Sequence, residues 1–124
     1  MISLKLGMGW SKNQSGIAPL PLRTINIYVV VSALQGSWII TNNSTGQVQQ
    51  GTTSRLVSFT IATGSTITIS GRVTNEGSFC LAYLESIYYG ELASDSDGLP
   101  ESIINYTYTV PSVNDELYLD LISY

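Results

Sequence analysis

From Thr24 onward, apolar side chains recur at every second position in short runs, and nowhere at helical spacing. Successive side chains of an extended strand point to opposite faces, whereas a helix returns to the same face only every three or four residues. This period restricts the chain to strands. Ile25, Ile27, Val29 and Val31 alternate with Asn26, Tyr28, Val30 and Ser32, a run rich enough in β-branched residues to predict a strand buried on both faces. Trp38-Ile39-Ile40-Thr41, after Gly36, forms a second short strand, and the polar stretch from Asn42 to Thr53 reads as a loop with room for one edge strand.

Arg55 to Thr63 alternates cleanly, with Val57, Phe59 and Ile61 on one side. The turn residues Ala62-Thr63-Gly64-Ser65 then lead into Thr66 to Val73, which predicts a hairpin. A further turn at Thr74-Asn75-Glu76-Gly77 precedes Phe79 to Leu84, a strand with apolar residues on both sides. Ser86 to Glu101 is irregular, with a loop at Asp95-Ser96-Asp97-Gly98-Leu99-Pro100. Ile104, Tyr106, Tyr108 and Val110 share one face of the next strand, Pro111 ends it, and Asn114-Asp115 turns the chain into a last strand from Leu117 to Ile122. Seven to nine short strands at this spacing, without an internal repeat, predict an all-β, two-sheet antiparallel β-sandwich or jelly roll.

A chain of 124 residues supports one such domain. Residues 1–22 differ from the rest, because Gly7, Gly9, Gly16, Pro19 and Pro21 interrupt any regular element; they read as an extended N-terminal arm before a sandwich domain at 23–124. The start of the chain lacks the apolar core of a signal peptide, and the longest apolar stretch, Ile25 to Leu34, is too short and too interrupted for a transmembrane helix. No membrane partner is expected. Cys80, the single cysteine, sits in the apolar run Phe79-Cys80-Leu81-Ala82 and reads as a small buried hydrophobe.

The charges are few, 11% of residues, and sorted by sign. All five basic residues, Lys5, Lys12, Arg23, Arg55 and Arg72, precede all nine acidic ones, which begin at Glu76 and end at Asp120. Two readings stand: cross-strand pairing of early basic with late acidic strands, or a fold with a basic and an acidic pole suited to contacts between copies. A net charge of −4 with scattered cations argues against nucleic acid as a partner.

Catalytic machinery is sparse. The chain has no histidine, which removes serine and cysteine triads and the usual zinc and iron sites. Neither a dinucleotide fingerprint nor a phosphate-binding loop is present. Carboxylate pairs for glycoside hydrolysis exist in number, but a sandwich this small rarely builds a cleft around them. Asp95-Ser96-Asp97-Gly98 supplies two oxygen ligands without the remainder of a calcium loop, and reads as a solvated turn. The expectation is a non-enzymatic protein without metal or cofactor.

The aromatic residues are the remaining candidates for function. Tyr106 and Tyr108 fall on the apolar side of their strand and are expected in the core. Tyr88 and Tyr89, beside the long loop, are expected to be exposed and to offer flat faces to a sugar or a protein. Tyr118, Ile122 and Tyr124 share a face of the last strand with Asp120 and form a candidate contact surface, with burial under the arm as the competing reading. Met8 and Trp10 are the candidate assembly anchors in the arm, since a large aromatic in a poorly self-supported segment needs a surface to cover it, whether a neighbour or its own domain.

The series Leu56-Val57-Ser58-Phe59-Thr60-Ile61, Gly64-Ser65-Thr66-Ile67-Thr68-Ile69-Ser70-Gly71, Phe79-Cys80-Leu81-Ala82-Tyr83-Leu84, Tyr106-Thr107-Tyr108-Thr109-Val110-Pro111 and Leu117-Tyr118-Leu119 resembles the galactose-binding-like jelly-roll modules. These are related to carbohydrate-binding modules and recur in fibre, baseplate and capsid-decorating proteins of tailed bacteriophages. The resemblance covers roughly residues 36–124 and carries no ligand motif. It implies a virion structural or accessory protein, located in the virion, whose partners are other virion proteins and copies of itself. A cell-surface glycan is the alternative partner, for a carbohydrate-binding module or adhesin.

Overall fold

The computed structural model describes residues 20–33, 35–74, 79–96 and 101–123. Nine strands follow in order: β1 (Leu22–Ser32), β2 (Gln35–Asn42), β3 (Gln47–Gly51), β4 (Arg55–Ala62), β5 (Thr66–Thr74), β6 (Cys80–Ser86), β7 (Gly90–Asp95), β8 (Glu101–Thr109) and β9 (Glu116–Ser123). They form a five-stranded sheet, β4-β1-β9-β6-β7, packed on a four-stranded sheet, β3-β2-β5-β8. The expected two-sheet β-sandwich is therefore the fold. No helix among the described residues is long and apolar enough to cross a membrane.

The period-two pattern explains the core directly. Ile25, Ile27 and Val29 of β1, Val57, Phe59 and Ile61 of β4, Ala82 and Leu84 of β6, and Leu117, Leu119 and Leu121 of β9 cover the inner face of the larger sheet. Trp38, Ile40, Ile67, Ile69, Val73, Ile104 and Tyr108 meet them from the smaller one. Cys80 is buried in the same cluster, as expected. Gly71 is a point of close approach between the layers: a Cβ there would lie 2.8 Å from Leu121 Cδ2, so β5 can sit against β9 only without a side chain. Trp38 donates its indole N–H to the Thr53 carbonyl at 2.9 Å, which satisfies the polar end of a fully enclosed ring.

Four features differ from the sequence expectations. The first is the predicted hairpin: β4 and β5 belong to different sheets, with β4 paired to β1 (Ile25 opposite Phe59) and β5 paired to β2 and β8. The turn between them crosses the end of the sandwich, and its backbone groups are taken by other strands. Thr63 N–H bonds the Pro21 carbonyl at 3.0 Å, Gly64 N–H the Val110 carbonyl at 2.8 Å, and Ser65 accepts from Val110 N–H at 2.8 Å. Alternation and a glycine turn are common to hairpins and to such corners, so the pattern cannot separate them.

Second, the first and last long strands, β1 and β9, pair in parallel (Tyr28 opposite Tyr118), whereas the other six pairings are antiparallel. Third, β1 and β6 are buried on one face only. Val30 is 41% exposed, and Tyr28, Tyr83 and Glu85 are partly exposed, because among the described residues no third layer covers the outer face of the larger sheet. Fourth, the irregular stretch after Ser86 holds a strand, β7, whose register against β6 shifts between Leu84 and Glu85 and leaves Leu92 without a Cα partner. The polar stretch 42–53 does contain one edge strand, β3.

Candidate functional site

The turn from β6 to β7 carries the exposed tyrosine pair. Tyr88 and Tyr89 are 60% and 54% exposed and contact each other edge to face, with ring centroids 4.8 Å apart. What holds them out is a buried carboxylate from elsewhere in the chain. Asp115, 4% exposed, accepts from Ser86 Oγ at 2.6 Å and from the Tyr108 hydroxyl at 2.6 Å with Oδ2. With Oδ1 it accepts from the Tyr88 and Glu116 N–H groups at 3.0 and 2.9 Å.

Ser86 Oγ in turn accepts from the N–H groups of Tyr88 (3.1 Å) and Tyr89 (2.9 Å), and Ile87 N–H bonds the Glu116 carbonyl at 2.9 Å. Three consecutive amides of the turn are thus committed, and a carboxylate taken out of water is stabilised by four donors. Burial first, and then the hydrogen bond to Asp115, push the Tyr108 hydroxyl far above the usual tyrosine range, so it remains a donor at any ordinary pH.

Beside this turn the edges of β7 and β8 leave a groove of about 300 Å³, lined by Tyr89, Leu92, Tyr106, Thr107, Tyr108 and Thr109. Tyr106, expected in the core, is only partly buried and walls the groove, while Tyr108 is buried as expected. Neither Tyr106 nor the threonines were identifiable as lining residues, because the neighbour of β8 across the groove is β7, the strand that alternation did not reveal. At its far end the seam closes where Asp95 Oδ2 accepts the Ile103 N–H at 2.8 Å. Asp95 is therefore occupied in joining the two edges; Asp97 and Gly98 lie outside the described residues. No group of three or more His, Cys, Asp or Glu side chains among the described residues is placed to hold a metal ion.

The remaining candidates are not gathered at this groove. Tyr118 stacks on Tyr28 across the parallel β1/β9 pair, with centroids 5.0 Å apart and planes 15° from parallel. Ile122 lies further along the same outer face, opposite Leu81. Met8, Trp10 and Tyr124 lie outside the described residues.

The outer face around Tyr118 is acidic. Its rows place Tyr28, Tyr118, Glu85 and Glu91 side by side, followed by Val30, Asp120, Tyr83 and Ser94. Burial and then the Glu85 charge raise the carboxyl of Asp120, and the Glu116 charge beside it is the main cause that raises Tyr28. No basic side chain among the described residues stands in these two rows.

Of the two readings of the sorted charges, cross-strand pairing explains one of the three described cations: Arg72 pairs with Glu101. Arg23 instead donates to the Ser112 carbonyl, and Arg55 lies 5.3 Å from the centroid of the Trp38 ring. No known protein family matches the chain, and no curated protein or solved structure matches it.

Proposed function

We propose that this chain is a non-enzymatic structural or accessory protein of a virion, of the fibre, baseplate or capsid-decoration kind, acting through contacts with other virion proteins and with copies of itself. The resemblance of residues 36–124 to phage jelly-roll modules supplies the setting. The observation that carries the contact role is the Tyr88–Tyr89 pair: two large aromatic side chains are held exposed by a turn whose amides are all committed, so little ordering entropy is lost when a partner covers them. Light scattering across a concentration series tests the reading. Copies of the full chain are expected to associate, and Tyr88→Ala/Tyr89→Ala to weaken association by tenfold or more without changing the fold. A chain that stays monomeric at every concentration and turns over a substrate is incompatible with it.

A second reading, a carbohydrate-binding module, is favoured by one feature. The groove sets the aromatic walls of Tyr89 and Tyr106 beside the hydroxyls of Thr107 and Thr109, which suits the apolar face and the polar rim of a pyranose. A glycan array gives at least one saturable ligand on this reading, with binding lost in Tyr106→Ala; an array without a hit removes it.

A further inference from the structure

The seam between β7 and β8 exposes more than side chains. Ile103 sends its N–H across the seam to Asp95, whereas Val110 sends its own toward Ser65 on the β5 side. In an antiparallel ladder the N–H and C=O of one residue point the same way, and successive residues alternate. Asn105, Thr107 and Thr109 therefore turn their backbone donors and acceptors toward the seam, and no described residue takes those of Thr107 and Thr109. Among the described residues β8 thus has an unpaired edge next to an apolar, tyrosine-walled groove, the arrangement into which an extended strand can add.

The chain itself supplies a segment with the matching pattern. Ile2, Leu4 and Leu6 alternate with Ser3 and Lys5, and residues 1–19 carry two lysines and no acid, whereas the described charges nearest the seam in sequence are Glu91, Asp95 and Glu101. The described part of the chain begins at the end of the sandwich where β8 finishes. Leu20 packs beside Gly64, and the Gly64 N–H bonds the carbonyl of Val110, the residue that follows β8. Residues 7–19 between them span up to roughly 40 Å when extended.

We propose that residues 2–6 of a second copy add to the β8 edge as an antiparallel strand, with Ile2, Leu4 and Leu6 facing Leu92, Tyr89 and Tyr106. A second copy is the favoured donor because the segment of the same copy, arriving at the C-terminal end of β8, would have to run parallel to it or double back, whereas a facing copy meets the antiparallel geometry without strain. The proposal rests on the assembly reading above and names the site through which copies join.

Cysteine cross-linking of the full chain tests it, with the buried Cys80 kept. Ser3 and Thr107 then lie side by side on the outward face, so a Ser3→Cys chain mixed with a Thr107→Cys chain is expected to give a disulfide-linked heterodimer. Thr109→Cys serves as a second acceptor position, and Val48→Cys on the edge strand β3 should give none. Leu4→Asp should weaken association at least tenfold while the strand signal in circular dichroism is retained. Copies that associate but do not cross-link at Thr107 or Thr109 overturn this inference and leave the assembly reading standing. Monomers at every concentration overturn this inference together with the self-association on which it rests. A double variant, Ser3→Cys/Thr107→Cys, that closes only within one chain overturns the choice of a second copy, as does a saccharide that occupies the groove in chains that are already associated.

Discussion

Two turns of this sandwich look alike locally and are held by different means. The corner at 62–65 and the turn at 87–90 each place a glycine in the left-handed region, Gly64 at φ +90° and Gly90 at φ +83°. The corner joins two sheets, and its amides are taken by backbone carbonyls of Pro21 and Val110. The β6–β7 turn joins neighbours in one sheet, yet its amides are taken largely by side chains, Ser86 and the distant Asp115. Apart from its glycine, a backbone-held corner does not depend on particular side chains for these bonds, whereas a turn held by one buried carboxylate depends on a single residue. That is why the backbone carrying the exposed tyrosines can be fixed without belonging to a regular element.

Asp115→Asn should therefore produce the largest effect. It swaps one acceptor oxygen for an amide N–H₂ that must face the donors now bonded to Asp115, and each buried donor left unmatched costs about 1–3 kcal/mol. With Ser86, Tyr108 and Tyr88 all bonded to the carboxylate, a total loss of about 3–4 kcal/mol is expected in urea unfolding. Amide exchange should accelerate at Tyr88 and Tyr89 well before it does at Thr63 and Gly64. A loss below about 1 kcal/mol would mean that the carboxylate is not what holds the turn.

The two glycines sharpen the comparison from the other side. Gly64→Ala and Gly90→Ala each force an L side chain into the left-handed region, a cost of about 1–2 kcal/mol, and neither added methyl group meets an atom closer than 3.9 Å. The two losses should agree within about 0.5 kcal/mol, since the strain is local to the backbone in both. If Gly90→Ala costs far more, the side-chain knot at Asp115 resists the adjustment that the corner allows.

The same contrast explains what was legible in the sequence. One-sided burial of Val57, Phe59 and Ile61, or of Leu117, Leu119 and Leu121, follows from period-two spacing, because each strand carries its own record of which face is dry. Which strand pairs with which is a relation between distant segments, so in sequence the corner at 62–65 is indistinguishable from a hairpin and the parallel β1/β9 pair leaves no local mark. The exposed Tyr88 and Tyr89 could be read from their place beside a loop. Asp115 could not, since in sequence it is one more turn aspartate after Asn114, and its burial emerges only when Ser86 and Tyr108 converge on it. Tyr106 shares the parity of Tyr108 and packs against the core as alternation implies, but it is only partly buried and also lines the groove, which alternation does not show.

Tyr108→Phe removes one donor from the knot while the carboxylate keeps the other three, so a smaller loss of about 1 kcal/mol is expected. Its signature lies in the pH dependence. The folded-state pKa of Tyr108 is raised above the ordinary value of 10.0, so above pH 10 the unfolded chain releases this proton while the folded one keeps it. The stability that the neutral hydroxyl contributes is complete below pH 10 and declines as the pH climbs beyond it. Tyr108→Phe should flatten that alkaline decline, and an unchanged slope in urea titrations at pH 9 and 11 would place the hydroxyl outside the network.

The outer face of the larger sheet supplies the smallest effect and the opposite sign. Asp120 stands among Tyr83, Val30 and the charge of Glu85, and burial followed by that charge raises its pKa above 3.8. A raised carboxyl binds its proton more tightly in the folded state, so the stability it contributes is complete below the unfolded pKa and is lost as the pH rises through the folded one. At neutral pH the ionised group is thus a mild burden, and unlike Asp115 it has no ring of four donors around it among the described residues. Asp120→Asn should stabilise the chain at pH 7 by a few tenths of a kcal/mol, about the scale of an exposed charge interaction, and should make no difference at pH 3. A variant that is less stable at pH 7 would show that Asp120 has a cationic partner on this face.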